Sequence, residues 1–103
     1  MFNGDKYITR GINEKLDVRL QIMLWEMIEL LRKQNIELDY LQIFKISNKS
    51  GKVVVEHSQE VPEYRVKYLL DVKVVNLNED IKVYVIDSEG SIAISTMMLS
   101  NEY

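Results

Sequence analysis

One stretch of helix-period hydrophobicity sets the frame for the whole chain. Between Asp17 and Lys33, and just ahead of it at Leu16, the apolar residues Leu16, Leu20, Met23, Leu24, Met27, Leu30 and Leu31 fall on one broad stripe at 100° per residue, with Ile28 at its margin. Asn13 or Asp17 supplies a capping oxygen at the start, and Arg32 and Lys33 close the segment where cations suit the helix dipole. The remaining apolar residues follow the two-residue period of strands. A chain with one long amphipathic helix cannot form a bundle, so the stripe must bury itself on a sheet.

The strand signals are regular. Lys6–Arg10 carries Tyr, Ile and Thr and stops at Gly11. Leu41–Ser47 and Lys52–Ser58 flank Asn48-Lys49-Ser50-Gly51, a turn-forming tetrapeptide, and read as a hairpin. Tyr64–Leu70 alternates, with Tyr64, Val66, Tyr68 and Leu70 on one face and Arg65 and Lys67 on the other, and an extension through Val72-Lys73-Val74 fits the same period. Ile81–Ile86 and Ile92–Met98 flank Asp87-Ser88-Glu89-Gly90 as a second hairpin, and Pro62 precedes the third of these strands, where no ladder bond is lost. The expected fold is α+β, a single domain over residues 1–103. In it, one long N-terminal helix packs on an antiparallel sheet of five or six strands.

Composition excludes several chemistries. With no cysteine among 103 residues there is no disulfide, thiolate nucleophile or zinc finger, and the lone His57 excludes any site needing two imidazoles. The net charge of −3 gives no general case for nucleic acid or anionic lipid. Residues 1–50 hold eight basic and seven acidic residues, and residues 51–103 hold five and nine. Met1 to Lys6 does not open a signal peptide, and Glu26 and Glu29 interrupt the apolar stretch Ile22–Leu31, so no membrane span is expected and the cytoplasm is the expected location.

Individual residues narrow the reading further. His57 follows Val53 and Val55 on one strand face while Glu56 points to the other, so neighbouring residues form no acid–base dyad. A partly buried or edge-strand histidine is the simpler reading. Asp87-Ser88-Glu89-Gly90 is explained by turn chemistry, and Glu37 and Asp39 lack the ligand pattern of a calcium loop. Tyr64-Arg65-Val66-Lys67-Tyr68 has the composition of a single-strand-binding surface, but alternation sends its tyrosines and cations to opposite faces. No G-x-G-x-x-G, P-loop or G-x-S-x-G occurs. The sequence therefore specifies no catalytic, cofactor-binding or metal-binding residue and no cofactor.

Two features point outward. Val18, Ile22 and Trp25 cluster nearly opposite the Leu/Met stripe, and they are the candidate interface. Several strands are also apolar on both faces, with Leu41 and Ile43 alternating with Phe44 and Ile46, and Val83 and Val85 with Tyr84 and Ile86. Such a sheet either pairs face to face with a second copy or curves to close on itself. Tyr40, Tyr68 and Tyr84 are the candidate lining of a pocket between helix and sheet.

Tyr7-Ile8-Thr9-Arg10-Gly11-Ile12, Glu14-Lys15-Leu16 leading to Leu24-Trp25, and Glu37 through Phe44 recur in order with Pro62-Glu63-Tyr64, Val85-Ile86-Asp87-Ser88, Thr96-Met97 and Glu102-Tyr103. Across nearly the whole chain this pattern resembles the small Gram-positive bacterial family catalogued as domain of unknown function 960. The chain departs from it at Asp17, where the family often has proline, and over Gly90–Ser95, where the last hairpin is longer. The resemblance implies a fold but no activity. The reading that follows is a non-enzymatic protein-interaction or adaptor module with a protein partner or a second copy of itself. Its alternatives are a small-molecule binder or carboxylate-based enzyme, and a nucleic-acid-binding accessory protein of a mobile element.

Overall fold

The computed structural model describes residues 1–71, 77–88, 90 and 92–103. The elements run β1 (Asp5–Ile8), α1 (Arg10–Lys15), α2 (Val18–Lys33), β2 (Leu41–Lys49), β3 (Lys52–Gln59), β4 (Tyr64–Leu70), β5 (Ile81–Ser88) and β6 (Ile94–Leu99), ending in a 3₁₀ turn at Ser100–Glu102. The six strands form one sheet in the order β1-β6-β5-β2-β3-β4.

The α+β class and the six strands match the sequence reading, but two parts of it are corrected. The long helix is not N-terminal, because β1 and α1 precede it, and the sheet is mixed, because β1 runs parallel to β6 while every other pair is antiparallel. The Asp5 amide donates to the Ala93 carbonyl at 3.1 Å and the Thr9 amide to Met97 at 3.0 Å, which ties the first strand to the last. Gly4 sits so close to Ala93 that a Cβ there would lie 2.1 Å from its carbonyl oxygen. Thr9, expected inside the strand, instead caps α1, its hydroxyl accepting from the Ile12 amide at 3.3 Å.

Asp17 caps α2, accepting from the Arg19 amide at 2.8 Å. The helix stops in a Schellman turn: Asn35 adopts φ 57°, its amide donates to Arg32 and the Ile36 amide to Leu31. The buried stripe is rotated slightly from the expected one. Ile28 is buried and Leu30 is exposed, while Leu20, Leu24, Met27 and Leu31 face the core as expected.

Strand alternation supplies the other half of the core. Phe44 and Ile46, Val53 and Val55, Val83 and Val85, and Met97 and Leu99 point to the helix side, where Phe2, Ile12 and Leu16 complete the cluster. Full burial of each such side chain contributes roughly 1.5–3 kcal/mol before entropy is counted. The β2–β3 hairpin closes through two residues at positive φ, Ser50 and Gly51, with Lys49 opposite Lys52, which is the twist-matched geometry for a two-residue loop. The second hairpin differs from expectation. Asp87 is a buried strand residue opposite Ser95, and not a turn residue. The extension through Val72-Lys73-Val74 lies outside the described residues.

Candidate functional site: the open face of the sheet

The helix-side face holds two polar clusters with structural roles. His57 is completely buried on β3, an interior strand, stacked on Phe44 at 4.4 Å and edge-on to Tyr64 at 5.5 Å. Its Nε2 lies 2.6 Å from Gln42 Oε1. Gln42 Nε2 donates to Asp39 O and to Gln59 Oε1, both at 2.8 Å. Gln59 Nε2 in turn donates to the carbonyls of Glu37 at 2.9 Å and Pro62 at 2.8 Å. Since Gln42 spends both amide hydrogens elsewhere, its oxygen must accept, and the His57 proton sits on Nε2. Nδ1 has no hydrogen-bond partner among the described residues. Burial pushes the imidazole down to about 4, so the ring is neutral at pH 7 and shielded from any solvent-borne substrate. The network ties the segment after α2 to the turn after β3.

The second cluster fastens the chain ends. Glu102 accepts from the Thr9 hydroxyl at 2.6 Å, the Leu99 amide at 2.8 Å and the Gly11 amide at 3.2 Å. These donors, the Thr9 hydroxyl foremost, hold its carboxyl below the usual range. Asp87 Oδ1 accepts from the Phe2 amide at 3.1 Å and the Ser95 hydroxyl at 3.2 Å, which seats the buried Phe2 ring.

The opposite face is where the surface becomes informative. No helix or strand among the described residues packs over it, and its apolar residues, among them Leu41, Ile43, Tyr84, Ile86 and Met98, are only half-buried. Register sets its charges in a row. Lys82 on β5 stands opposite Lys45 on β2, Lys45 opposite Glu56 on β3, and Glu56 opposite Lys67 on β4. Glu56 pairs diagonally with Arg65 at 3.3 Å, and Lys45, Lys67 and Lys82 enter no ion pair among the described residues. A depression of about 340 Å3 opens along this row, bordered by Lys45, Lys49, Lys67 and Lys82 with Glu56 and Asp80.

An aromatic group adjoins the row. Tyr84 meets Tyr103 edge-to-face at 5.7 Å, and Lys82 Nζ stands 5.5 Å from the Tyr84 ring. Tyr40 completes the group: electrostatic repulsion from Tyr103, and a hydrogen bond to it, raise the Tyr40 phenol above its ordinary value. Tyr103 was not singled out by the sequence, because only the Glu102 anchor brings it here.

The residues singled out from the sequence separate. Tyr84 lies on the open face and Tyr103 links it to Tyr40, whereas Tyr68 stands opposite Val55 on the helix side and packs against the core. The three tyrosines therefore do not line one pocket. Strand alternation puts Tyr68 and Tyr84 on opposite faces of the sheet. Val18 and Ile22 are 62% and 53% exposed on α2, while Trp25 is half-buried against the core with Lys6 Nζ at 5.8 Å from its ring. Part of the Trp25 surface is thus covered by β1 of the same chain.

Fold and face together define an α+β protein with one helix-covered and one open sheet face, built around a buried glutamine–histidine network. The chain belongs to the DUF960 family, described as a staphylococcal protein of unknown function, which matches residues 5–102. It is also similar to a crystal structure of a protein of unknown function from Enterococcus faecalis, at 25% identity and a TM-score of 0.83, over 98% of this chain and 92% of the other. No curated protein matches the sequence. No helix among the described residues is long and apolar enough to cross a membrane.

Proposed function

We propose that the protein is a non-enzymatic protein-interaction module whose docking surface is the open face of its sheet. The observation that carries this reading is the composition of that face. Half-buried Ile43 stands next to Lys45 and Lys82, which enter no ion pair among the described residues, and half-buried Leu41 and Ile86 continue the apolar strip along the same interior strands, where no described helix or strand packs. A rigid sheet face with apolar anchors and a charged rim is the ordinary anatomy of a protein interface. The buried Gln42–His57–Gln59 network on the other side supports the reading as well, since it stiffens the scaffold without reaching solvent.

The test is site-specific photo-crosslinking in the native host. A photoreactive residue at Ser47, Ser58 or Thr96 on the open face is expected to give discrete adducts, and one at Glu26 or Lys33 on α2 is expected to give none. Adducts of equal yield on both faces, or none on either, would contradict the reading. The exposed pair Val18 and Ile22 favours self-association as a second reading. Light scattering on the purified protein tests it, with a dimer that Ile22→Glu converts to monomer as the supporting result and a wild-type monomer as the opposing one.

A further inference from the structure

The row of lysines carries the docking reading one step further, to the chemistry of the partner. Like charges directly opposite on neighbouring strands destabilise a sheet, yet Lys45 and Lys82 face each other in register near its centre. Glu56 does not relieve them, because its carboxylate is turned to Arg65. Nothing in the fold requires lysine at either position, since both side chains are exposed. We infer that the depression bordered by Lys45, Lys49, Lys67 and Lys82 binds carboxylate side chains of an acidic, partly apolar segment of a partner protein, the inference resting on the open face being the docking surface.

Three observations favour an acidic peptide over a nucleic acid. Glu56 and Asp80 border the same depression, and Glu60 and Glu63 border the adjoining one, so a continuous phosphate backbone meets repulsion on leaving the lysines. The whole chain is acidic at −3, which removes long-range attraction for a polyanion. Tyr84, the ring next to the lysines, is already engaged by Lys82 and by Tyr103 in an edge-to-face contact, so it is not free for the base stacking that single-strand binding needs. A peptide needs only a few carboxylates for the lysines and apolar side chains for Ile43 beside them and Ile86 further along the same face. In an extended strand, side chains two residues apart share a face, so acidic residues at two alternate positions followed by apolar residues at the next two present both sets to the sheet together.

The experiment is a fluorescence-anisotropy titration with three labelled probes of equal length: the peptide Glu-Ser-Glu-Ser-Leu-Ser-Leu, which carries its Glu and Leu side chains on one face, its Gln-for-Glu counterpart, and oligothymidylate. The Glu peptide is expected to bind at low salt and to weaken as salt rises, with little binding of the other two. Lys45→Glu with Lys82→Glu is expected to weaken it about tenfold or more, the effect of reversing two solvent-screened ion pairs. Lys33→Glu on α2 is expected to leave it unchanged, with folding of each variant checked by circular dichroism. Binding that ignores the double substitution, equal binding of the Gln peptide, or tighter binding of oligothymidylate would overturn the inference, as would no binding by the wild type. The two readings fail separately. Open-face cross-links without acidic-peptide binding leave the docking surface standing and remove the acidic partner, and loss of the cross-links removes the surface itself.

Discussion

Lys45 on β2 stands in register with Lys82 on β5 on the exposed face of one sheet, with no acid paired to either among the described residues. If this pair is kept for binding, it should cost stability. Lys82→Glu places opposite charges across the strands, and it is expected to raise the unfolding free energy by about 0.5 kcal/mol while weakening the acidic peptide. Urea denaturation measures the first and anisotropy the second. A substitution that destabilises and leaves binding intact would separate the lysines from function.

The buried His57 makes a prediction about pH. Its folded-state value near 4 lies below the 6.5 of the unfolded chain, so the unfolded state takes up the proton first. Stability should therefore be full above pH 6.5 and fall as pH drops from 6.5 toward 4, by about 3 kcal/mol across that window. Chemical denaturation across the window checks this, with His57→Gln expected to flatten the curve there. An unchanged slope in that variant would mean the imidazole is not the group responsible.

Gln59 is the hub of the same network, its oxygen accepting from the Asp39 amide as well as from Gln42. Gln59→Ala strands buried donors and carbonyls on both sides, and a loss of about 2–3 kcal/mol is expected. Hydrogen exchange should accelerate at the Asp39 amide. Unaltered exchange there would show that the bond does not protect it.

The Glu102 latch can be tested from either end. A Cβ at Gly11 would lie 2.6 Å from the Glu102 carboxylate, so Gly11→Ala is expected to displace that side chain and lower the melting temperature. Glu102→Ala should lower it too, and the double variant should be no worse than the more damaging single one, because both remove the same contacts. Additive losses would mean that Gly11 acts independently of the latch.

Local elements were legible in the sequence because local physics decides them. The α2 stripe, the Asn48–Gly51 hairpin and the alternation of β4 all follow from periodicity and turn chemistry, and the separation of Tyr64 and Tyr68 from Arg65 and Lys67 was visible at that level. The burial of His57 was half visible, since it continues the Val53–Val55 face, but Gln42 and Gln59 gave no sign that they would satisfy it. Long-range pairing was not legible. The parallel docking of β1 on β6 joins residues from opposite ends of the chain, and the Lys45–Lys82 row exists only because β5 enters the sheet beside β2. No local signal encodes either neighbour: the apolar second face was visible in the alternation of β2 and β5, but its row of lysines emerged only once the strand order was known.

The most direct measurement is an amide NMR titration of the labelled protein with the Glu-Ser-Glu-Ser-Leu-Ser-Leu peptide. The largest shifts are expected at Lys45, Glu56, Lys67, Lys82 and Tyr84, with Ile22 and Glu26 on α2 unmoved. Shifts confined to α2, or no shifts at an excess of peptide, would contradict the assignment of the open face as the docking surface for an acidic partner.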